Sequence, residues 1–281
     1  MTSLSPSKIE SGSVRSVAIA VPQGSIQTLV AQTAQETALP PVVFVHGMAC
    51  NADLWQAQLE KTAQSRDAIA ISLRGHGTST PPPDDDYSPA ACAADLFAVL
   101  DALGLEQIAL VGHSYGTSVA IAAAAAQPQR LTQLILVDPP IDCTHCPADV
   151  YAAQIAPMQA DMLGKGWRSV LTQSFRQALM GGTPETHAEI LTRLDQTPEA
   201  ALRGTSRELF TFPALDGLDT YLASPGANAH VILAAAKAMP FSLHVLRPAL
   251  STTTIPNTGH WLMLDAPKAF DQALNSCLAT G

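Results

Sequence analysis

The chain has 281 residues, of which 47% are hydrophobic and 14% are charged, so it can bury one large core or two modest ones. Its formal net charge of −9 argues against nucleic acid and anionic membrane surfaces as partners. No apolar run has the length needed to span a bilayer, and the polar stretch at residues 1–13 predicts a disordered tail rather than a secretory signal. Five cysteines without a dense framework indicate a reduced, cytoplasmic protein.

Strand-like and helix-like segments alternate through the first half of the chain. The strands are short apolar runs bounded by turn residues, and two of them are continuous enough to be buried on both faces. This alternation predicts right-handed crossovers and a mostly parallel sheet. The predicted elements are strands at 14–21, 25–32, 42–45 and 68–72, a helix capped by Asn51 or Asp53 and ending near Ser65, and a helix at 90–103 closed by Gly104.

A G-x-S-x-G pattern lies between an apolar strand at 107–111 and an alanine-rich helix at 119–126. Its residues are Gly112, Ser114 and Gly116, and the spacing predicts a sharp turn that holds the serine in strained geometry. The glycines let the strand and the helix approach each other closely. The serine hydroxyl is expected to stand clear of the sheet near a helix N-terminus, where developing negative charge is favoured. Ser114 is therefore the candidate nucleophile.

The alternation of strand and helix breaks after a strand at 131–137. From there to residue 212 the segments are all helix-like, so we predict an inserted helical cap at 146–212. Residues 213–226 are expected to lead back to the sheet, which resumes with strands at 230–234 and 251–255 and a last helix at 267–278. The core is then expected to comprise residues 14–145 and 213–281.

Four motifs, taken in this order, resemble the α/β-hydrolase superfamily. They are His46-Gly47 after the third strand, Arg74-Gly75-His76-Gly77 after the fourth, the turn at Ser114, and Gly259-His260 after the last strand. The resemblance implies an α/β fold with a mostly parallel eight-stranded sheet, helices on both faces and an inserted cap. It also implies that His260 is the catalytic base, and that the backbone N–H groups of Met48 and Tyr115 bind the oxyanion.

The acid of the expected triad departs from the commonest pattern of the family. Most relatives carry it after the seventh strand, but no Asp or Glu occurs between Val231 and His260. An acid is still needed to orient the imidazole and stabilise its cation. The resemblance offers a second place, the end of the sixth strand, where Asp138 stands. Asp138 is the predicted acid, with Asp142 as the alternative.

Several other side chains are candidates for the substrate pocket. The resemblance places the side chains of Met48 and Tyr115 there, and His113 is expected to make local contacts beside the nucleophile. Trp55, Trp167 and Trp261 are further candidates, although tryptophan is more often core. Cys143-Thr144-His145-Cys146 lacks a second pair of ligands at matching spacing, so neither a metal nor a cofactor is expected.

These residues predict a hydrolase that cleaves a carboxylic ester or lactone of an apolar or aromatic small molecule. Two alternatives stay open. One is a cofactor-free dioxygenase of N-heteroaromatic rings, since such proteins pair a histidine with an acid after the sixth strand. The other is a hydrolase-like receptor without catalytic activity. A serine at position 114 disfavours dehalogenases and epoxide hydrolases, which have aspartate there.

Overall fold

The protein is described by a computed structural model over residues 13–234 and 239–279. Residues 1–12 of the predicted disordered tail lie outside these ranges. The described residues contain an eight-stranded sheet, and helices cover both of its faces. Its strands are β1 (Val14–Val21), β2 (Gly24–Ala31), β3 (Val42–Val45), β4 (Ala68–Ile71), β5 (Ile108–His113), β6 (Leu131–Val137), β7 (Ala229–Ala234) and β8 (Ser251–Ile255).

The strands lie in the order β1-β2-β4-β3-β5-β6-β7-β8. β2 pairs antiparallel with both β1 and β4, and every later neighbour pairs parallel. The apolar strands β3 and β4 are buried at every position in the centre, whereas the Ser/Thr-rich β8 is largely exposed at an edge. The predicted α/β class with a mostly parallel eight-stranded sheet is therefore confirmed.

Local sequence signals account for where the helices begin and end. In the helix at Pro89–Leu103, Ser88 accepts a hydrogen bond from the Ala91 N–H, and Gly104 ends the helix with a φ of 70°. Within the described ranges, no helix is long and apolar enough to cross a membrane. The helices are α1 (Gln56–Thr62), α2 (Pro89–Leu103), α3 (Tyr115–Ala126), α4 (Ala148–Val150), α5 (Ala156–Leu163), α6 (Trp167–Ala178), α7 (Pro184–Gln196), α8 (Glu199–Glu208), α9 (Ala214–Leu222), α10 (Leu243–Leu246), α11 (Leu262–Asp265) and α12 (Pro267–Leu278).

Two differences from the predicted helices concern α3 and α9. Helix α3 begins at Tyr115, directly after the candidate nucleophile, rather than at residue 119. Helix α9 occupies part of the stretch expected to be a simple return to the sheet. It forms because Leu215, Leu218 and Tyr221 give it a buried face, and because Gly217 lets it approach α3.

Helices α4 to α9 lie between β6 and β7, and we call residues 148–222 the helical segment. A π-helical turn at Tyr151–Ile155 joins α4 to α5. The proposed division into core and cap, with the cap at 146–212, stays a prediction.

The carboxyl ends of the parallel strands meet at one edge of the sheet. Ser114 follows β5, Asp138 follows β6 and His260 comes five residues after β8. β5 and β6 are direct neighbours, with His113 paired to Val137 at their ends. The topology therefore brings the predicted nucleophile, acid and base to the same edge.

Candidate active site

Ser114 lies in a strained turn between β5 and α3. Its φ of 52° and ψ of −123° put a residue with a side chain in a region that favours glycine. A Cβ added at Gly112 would stand 2.3 Å from the Gly116 carbonyl oxygen, and one added at Gly116 would stand 2.5 Å from the Val45 carbonyl oxygen. Both glycines are required because strand, turn and helix pack backbone against backbone here.

Asp138 is the carboxylate that contacts His260. Its Oδ2 accepts a hydrogen bond from His260 Nδ1 at 2.5 Å, and its Oδ1 accepts one from the Ala234 N–H at 3.0 Å. Burial by itself raises the pKa of Asp138, but the hydrogen bonds and the charge of His260 outweigh it, so the pKa is lowered. The carboxylate thus stays ionised at neutral pH, with His260 Nε2 left for a substrate or a nucleophile.

Asp142, the alternative acid, has other partners. It is buried, caps the short 3₁₀ turn at Cys143–His145 through the Thr144 N–H at 2.9 Å, and accepts the Leu215 N–H at 2.8 Å. Its contacts hold the turn and the start of α9 together. Within the part of the chain that the structure describes, no cluster of three or more His, Cys, Asp or Glu side chains is arranged to hold a metal ion.

The loop that carries Met48 packs directly on the nucleophile. A Cβ added at Gly47 would stand 2.7 Å from Ser114 Cβ. Buried His46 fixes this loop, because its Nδ1–H donates to the Gly47 carbonyl at 2.7 Å and its Nε2 accepts the Leu73 N–H at 2.9 Å. Tyr115 is the first residue of α3, so its N–H is outside the helical ladder and free to bind an oxyanion.

His113 lies behind His260 rather than in the pocket. Its buried ring packs with its centre 4.7 Å from that of His260, and its Nε2–H donates to the His260 carbonyl at 3.0 Å. Burial, followed by the nearby His260, lowers the pKa of His113 to about 3, so the ring is neutral. Its place in the fold is that of a support for the His260 loop.

A second support is Asp265, which nothing in the local sequence singles out. One carboxylate oxygen accepts the Gly259 N–H at 2.9 Å, and the other accepts the Thr183 N–H at 2.9 Å. The His260 N–H in turn donates to the Ala178 carbonyl at 2.9 Å. The His260 loop is therefore tied to the helical segment at several backbone groups.

A cavity of about 140 Å³ opens beside Ser114, and we call it the Ser114 cavity. Its sheet side is formed by Met48, Ser114, His260 and Trp261. Its other side comes from the helical segment: Met162, Leu171, Ser174, Phe175, Ala178 and Leu209.

The other predicted pocket residues lie elsewhere. Tyr115 is fully buried and its hydroxyl donates to the Tyr87 carbonyl. Trp55 is core, packed against Phe44 with ring centres 5.0 Å apart. Trp167 lies beneath the Arg203 guanidinium, which stands 5.4 Å from its ring centre.

A larger cleft of about 680 Å³ lies between the loop at 49–53 and residues 188–198. Neither Ser114 nor His260 is among its lining residues. Because the predicted reacting groups meet in the smaller cavity, that cavity is the candidate active site.

Comparison with known proteins bears on the fold and the family of the chain. An esterase from Thermogutta terrifontis, solved with malate bound, superposes with a TM-score of 0.75 at 22% identity, over 95% of this chain and 98% of that one. At this identity the likeness concerns the fold. The mouse sn-1-specific diacylglycerol lipase ABHD11 is 28% identical over 275 residues, covering 87% of this chain and 82% of the lipase.

A second relative matches a shorter stretch of the chain at higher sequence identity. N-formylmaleamate deformylase from Pseudomonas putida is 41% identical over 100 residues. These residues are 36% of this chain and 37% of the deformylase, so the match covers little more than a third of that relative's length. The sequence profile of the alpha/beta hydrolase family matches residues 42–273, which is most of the chain. The chain belongs to the alpha/beta hydrolase family.

Proposed function

We propose that the protein is a serine hydrolase that cleaves a carboxylic ester or lactone. The observation that carries this proposal is the 2.5 Å contact between Asp138 Oδ2 and His260 Nδ1, made where His260 lines one cavity with the strained Ser114. With Nδ1 bound to the carboxylate, the imidazole presents Nε2 to the serine hydroxyl and can act as general base.

The reaction would proceed through an acyl-enzyme. Ser114 Oγ attacks the carbonyl carbon while His260 Nε2 takes its proton, and the ionised Asp138 stabilises the resulting imidazolium. The N–H groups of Met48 and Tyr115 stabilise the oxyanion. His260 then protonates the departing alcohol, which leaves the acyl group on Ser114. In the second half of the reaction His260 deprotonates a water molecule that attacks this acyl group, and the acid is released and the Ser114 hydroxyl restored.

Ester cleavage is favoured over amide cleavage by the extent of the matches. The relative named as a lipase shares 82% of its length with this chain, whereas the relative named as a deformylase shares 37%. We also propose that residues 146–212 act as the cap, because one side of the Ser114 cavity comes from the helical segment.

Two serines of the cavity make a matched test. Ser114→Ala is expected to lower ester hydrolysis by roughly 10⁴-fold or more and to abolish labelling by a fluorophosphonate, because the covalent step is lost. Ser174 lines the same cavity and its hydroxyl already donates to the Val170 carbonyl at 3.0 Å. Ser174→Ala is therefore expected to stay labelled and to change kcat/KM by less than about threefold.

The same two variants separate the competing functions. Oxygen-dependent turnover of an N-heteroaromatic compound that survives Ser114→Ala would contradict the hydrolase and favour the dioxygenase. A protein that is never labelled, yet melts at a higher temperature with a small ligand, would be a receptor.

A further inference from the structure

The wall that the helical segment contributes to the Ser114 cavity is apolar. Met162, Leu171, Phe175, Ala178 and Leu209 form it together with Ser174. Ser174 is the polar side chain of this wall, and its hydroxyl already donates a hydrogen bond to the Val170 carbonyl within the helix. The described residues contribute no lysine, arginine, aspartate or glutamate to the lining. A carboxylate or ammonium group on a substrate would thus be desolvated there without a counter-charge.

Three arginines of the helical segment have partners away from the Ser114 cavity. Arg168 binds Asp195 at 3.1 Å, and Arg193 binds Glu189 at 2.8 Å. Arg207 donates to the Asp85 carbonyl at 3.0 Å. Each of these partners lies outside the lining of the Ser114 cavity, so these arginines do not provide an anion site for the substrate.

The volume of the cavity limits the group that it can hold. An apolar protein cavity of about 150 Å³ accommodates benzene, a ring of six carbon atoms. The Ser114 cavity, at about 140 Å³, is of that size. A much longer chain would have to leave it or displace its wall, because protein interiors are close-packed.

From these observations, and resting on the proposed ester hydrolysis, we infer that the substrate is an uncharged ester that buries one apolar group of about six carbon atoms in the Ser114 cavity. The group is either the acyl chain or the alcohol of the ester.

Ala178 has the smallest side chain of this wall. It ends α6 with its side chain in the cavity wall, and its carbonyl accepts the His260 N–H at 2.9 Å. A larger side chain at this position would fill the cavity close to the reacting groups. Leu209 lines the cavity without such a contact to the His260 loop, so truncating it would lengthen the available space.

Two series of esters test the inference and identify the buried group. Methyl esters from acetate to decanoate vary the acyl chain, and acetates from methanol to decanol vary the alcohol. In one series kcat/KM is expected to rise about fourfold per methylene up to about six carbons, and then to fall at least tenfold. Methyl hydrogen succinate, an ester with a carboxylate, is expected to be a poor substrate. A steady rise through decanoate and decanol, or a preference for the charged ester, would overturn the inference.

Variants at the cavity wall and next to it sharpen the assignment. Ala178→Leu is expected to move the optimum about three carbons shorter, the number of carbon atoms that it adds. Leu209→Ala is expected to move it longer. Gln177→Leu, at the exposed neighbouring position, should leave the optimum unchanged. An optimum that does not move in either cavity variant would contradict the role of this wall.

Binding of probes that cannot be hydrolysed separates this inference from the proposed function. Benzene is expected to raise the Tm of the wild type and to have no effect on Ala178→Leu, whereas benzoate should not raise either Tm. If no ester is cleaved and Ser114 is not labelled, but benzene binding is lost in Ala178→Leu, the ester hydrolase proposal fails while the cavity limit stands. If esters are cleaved and benzene does not bind, the cavity limit fails alone.

Discussion

The two sides of the Ser114 cavity are built on different principles. On the sheet side, polar groups are held by hydrogen bonds: Asp138 to His260, His113 to the His260 carbonyl and His46 to the Gly47 carbonyl. On the side of the helical segment the wall is mostly apolar and is held by packing. Hydrogen bonds fix angles as well as distances, which proton transfer needs. Packing limits the size of the group that the cavity can hold, and in our proposal the apolar wall disfavours a charged group.

The contrast divides the proposed function between the two regions. Changes on the sheet side are expected to alter kcat for every ester, while changes on the helical side alter which ester reacts best. The two regions meet where Asp265 binds the N–H groups of Gly259 and Thr183. Variants on each side, and at the junction, test whether the division holds.

Among the variants that test this division, the largest effect is expected from Asp138→Asn. The amide N–H would donate a hydrogen bond to His260 Nδ1 and so favour the wrong tautomer, and kcat should fall by about 10⁴-fold, as it does when the triad carboxylate of a serine protease is amidated. Asp142→Asn is the matched control. It changes a buried carboxylate four positions along the chain that caps a turn, so it should lower the free energy of unfolding by about 1–3 kcal/mol and leave kcat of the folded enzyme within about threefold. Equal losses of kcat in the two variants would remove the case for Asp138.

At the junction, Asp265→Asn is expected to lower kcat by roughly 10- to 100-fold, because an amide has one acceptor oxygen and cannot bind both N–H groups. Its pH–rate profile should change as well, since the His260 loop moves. Asp271→Asn supplies the comparison, because Asp271 is also paired through both oxygens, but with Gln58 at 3.2 Å and Lys61 at 2.8 Å on α1. Asp271→Asn should lower the free energy of unfolding and leave kcat of the folded enzyme unchanged. If Asp265→Asn behaves in the same way, Asp265 has no part in positioning His260.

The smallest expected effect concerns stability in acid. His113 is neutral in the folded state down to a pKa of about 3, while in the unfolded chain it takes a proton near pH 6.5. Unfolded molecules therefore bind more protons below pH 6.5, and stability falls as the pH is lowered.

Buried His76, whose pKa is lowered to about 4, adds to this acid sensitivity. Replacing His113 by asparagine is expected to reduce the loss by up to about 1.4 kcal/mol per pH unit, measured by urea unfolding between about pH 6 and pH 4. The same measurement at about pH 8 controls for the lost hydrogen bond. An unchanged slope would mean that His113 titrates alike in both states.

Much of the sheet can be predicted because its signals are local. β3, β6 and β8 begin and end at the residues expected, since each is an apolar or β-branched run bounded by turn or polar residues. The residue at which α3 begins depends less on local sequence signals. The prediction starts it at the alanine run, whereas the structure starts it at Tyr115 because the strained turn at Ser114 leads straight into the helix.

The residues of the candidate site likewise include some that the sequence predicts and some that it does not. Ser114, Asp138 and His260 could be proposed because each follows a recognisable strand in a motif that resembles the α/β-hydrolase superfamily, and the ends of parallel strands meet at one edge. The role of Asp265 could not be named, because its partners Gly259 and Thr183 are brought to it by loops from different parts of the chain.

The sequence alone thus predicted where strands end, where glycines are required and which polar residues follow the strands, because these features depend on neighbours a few positions away. The choice between Asp138 and Asp142 as the partner of His260, the place of His113 and the small apolar cavity depend on contacts between residues far apart in sequence. Such contacts follow from how the loops after the strands pack together and how the helical segment packs on the sheet, and periodicity carries no information about that packing.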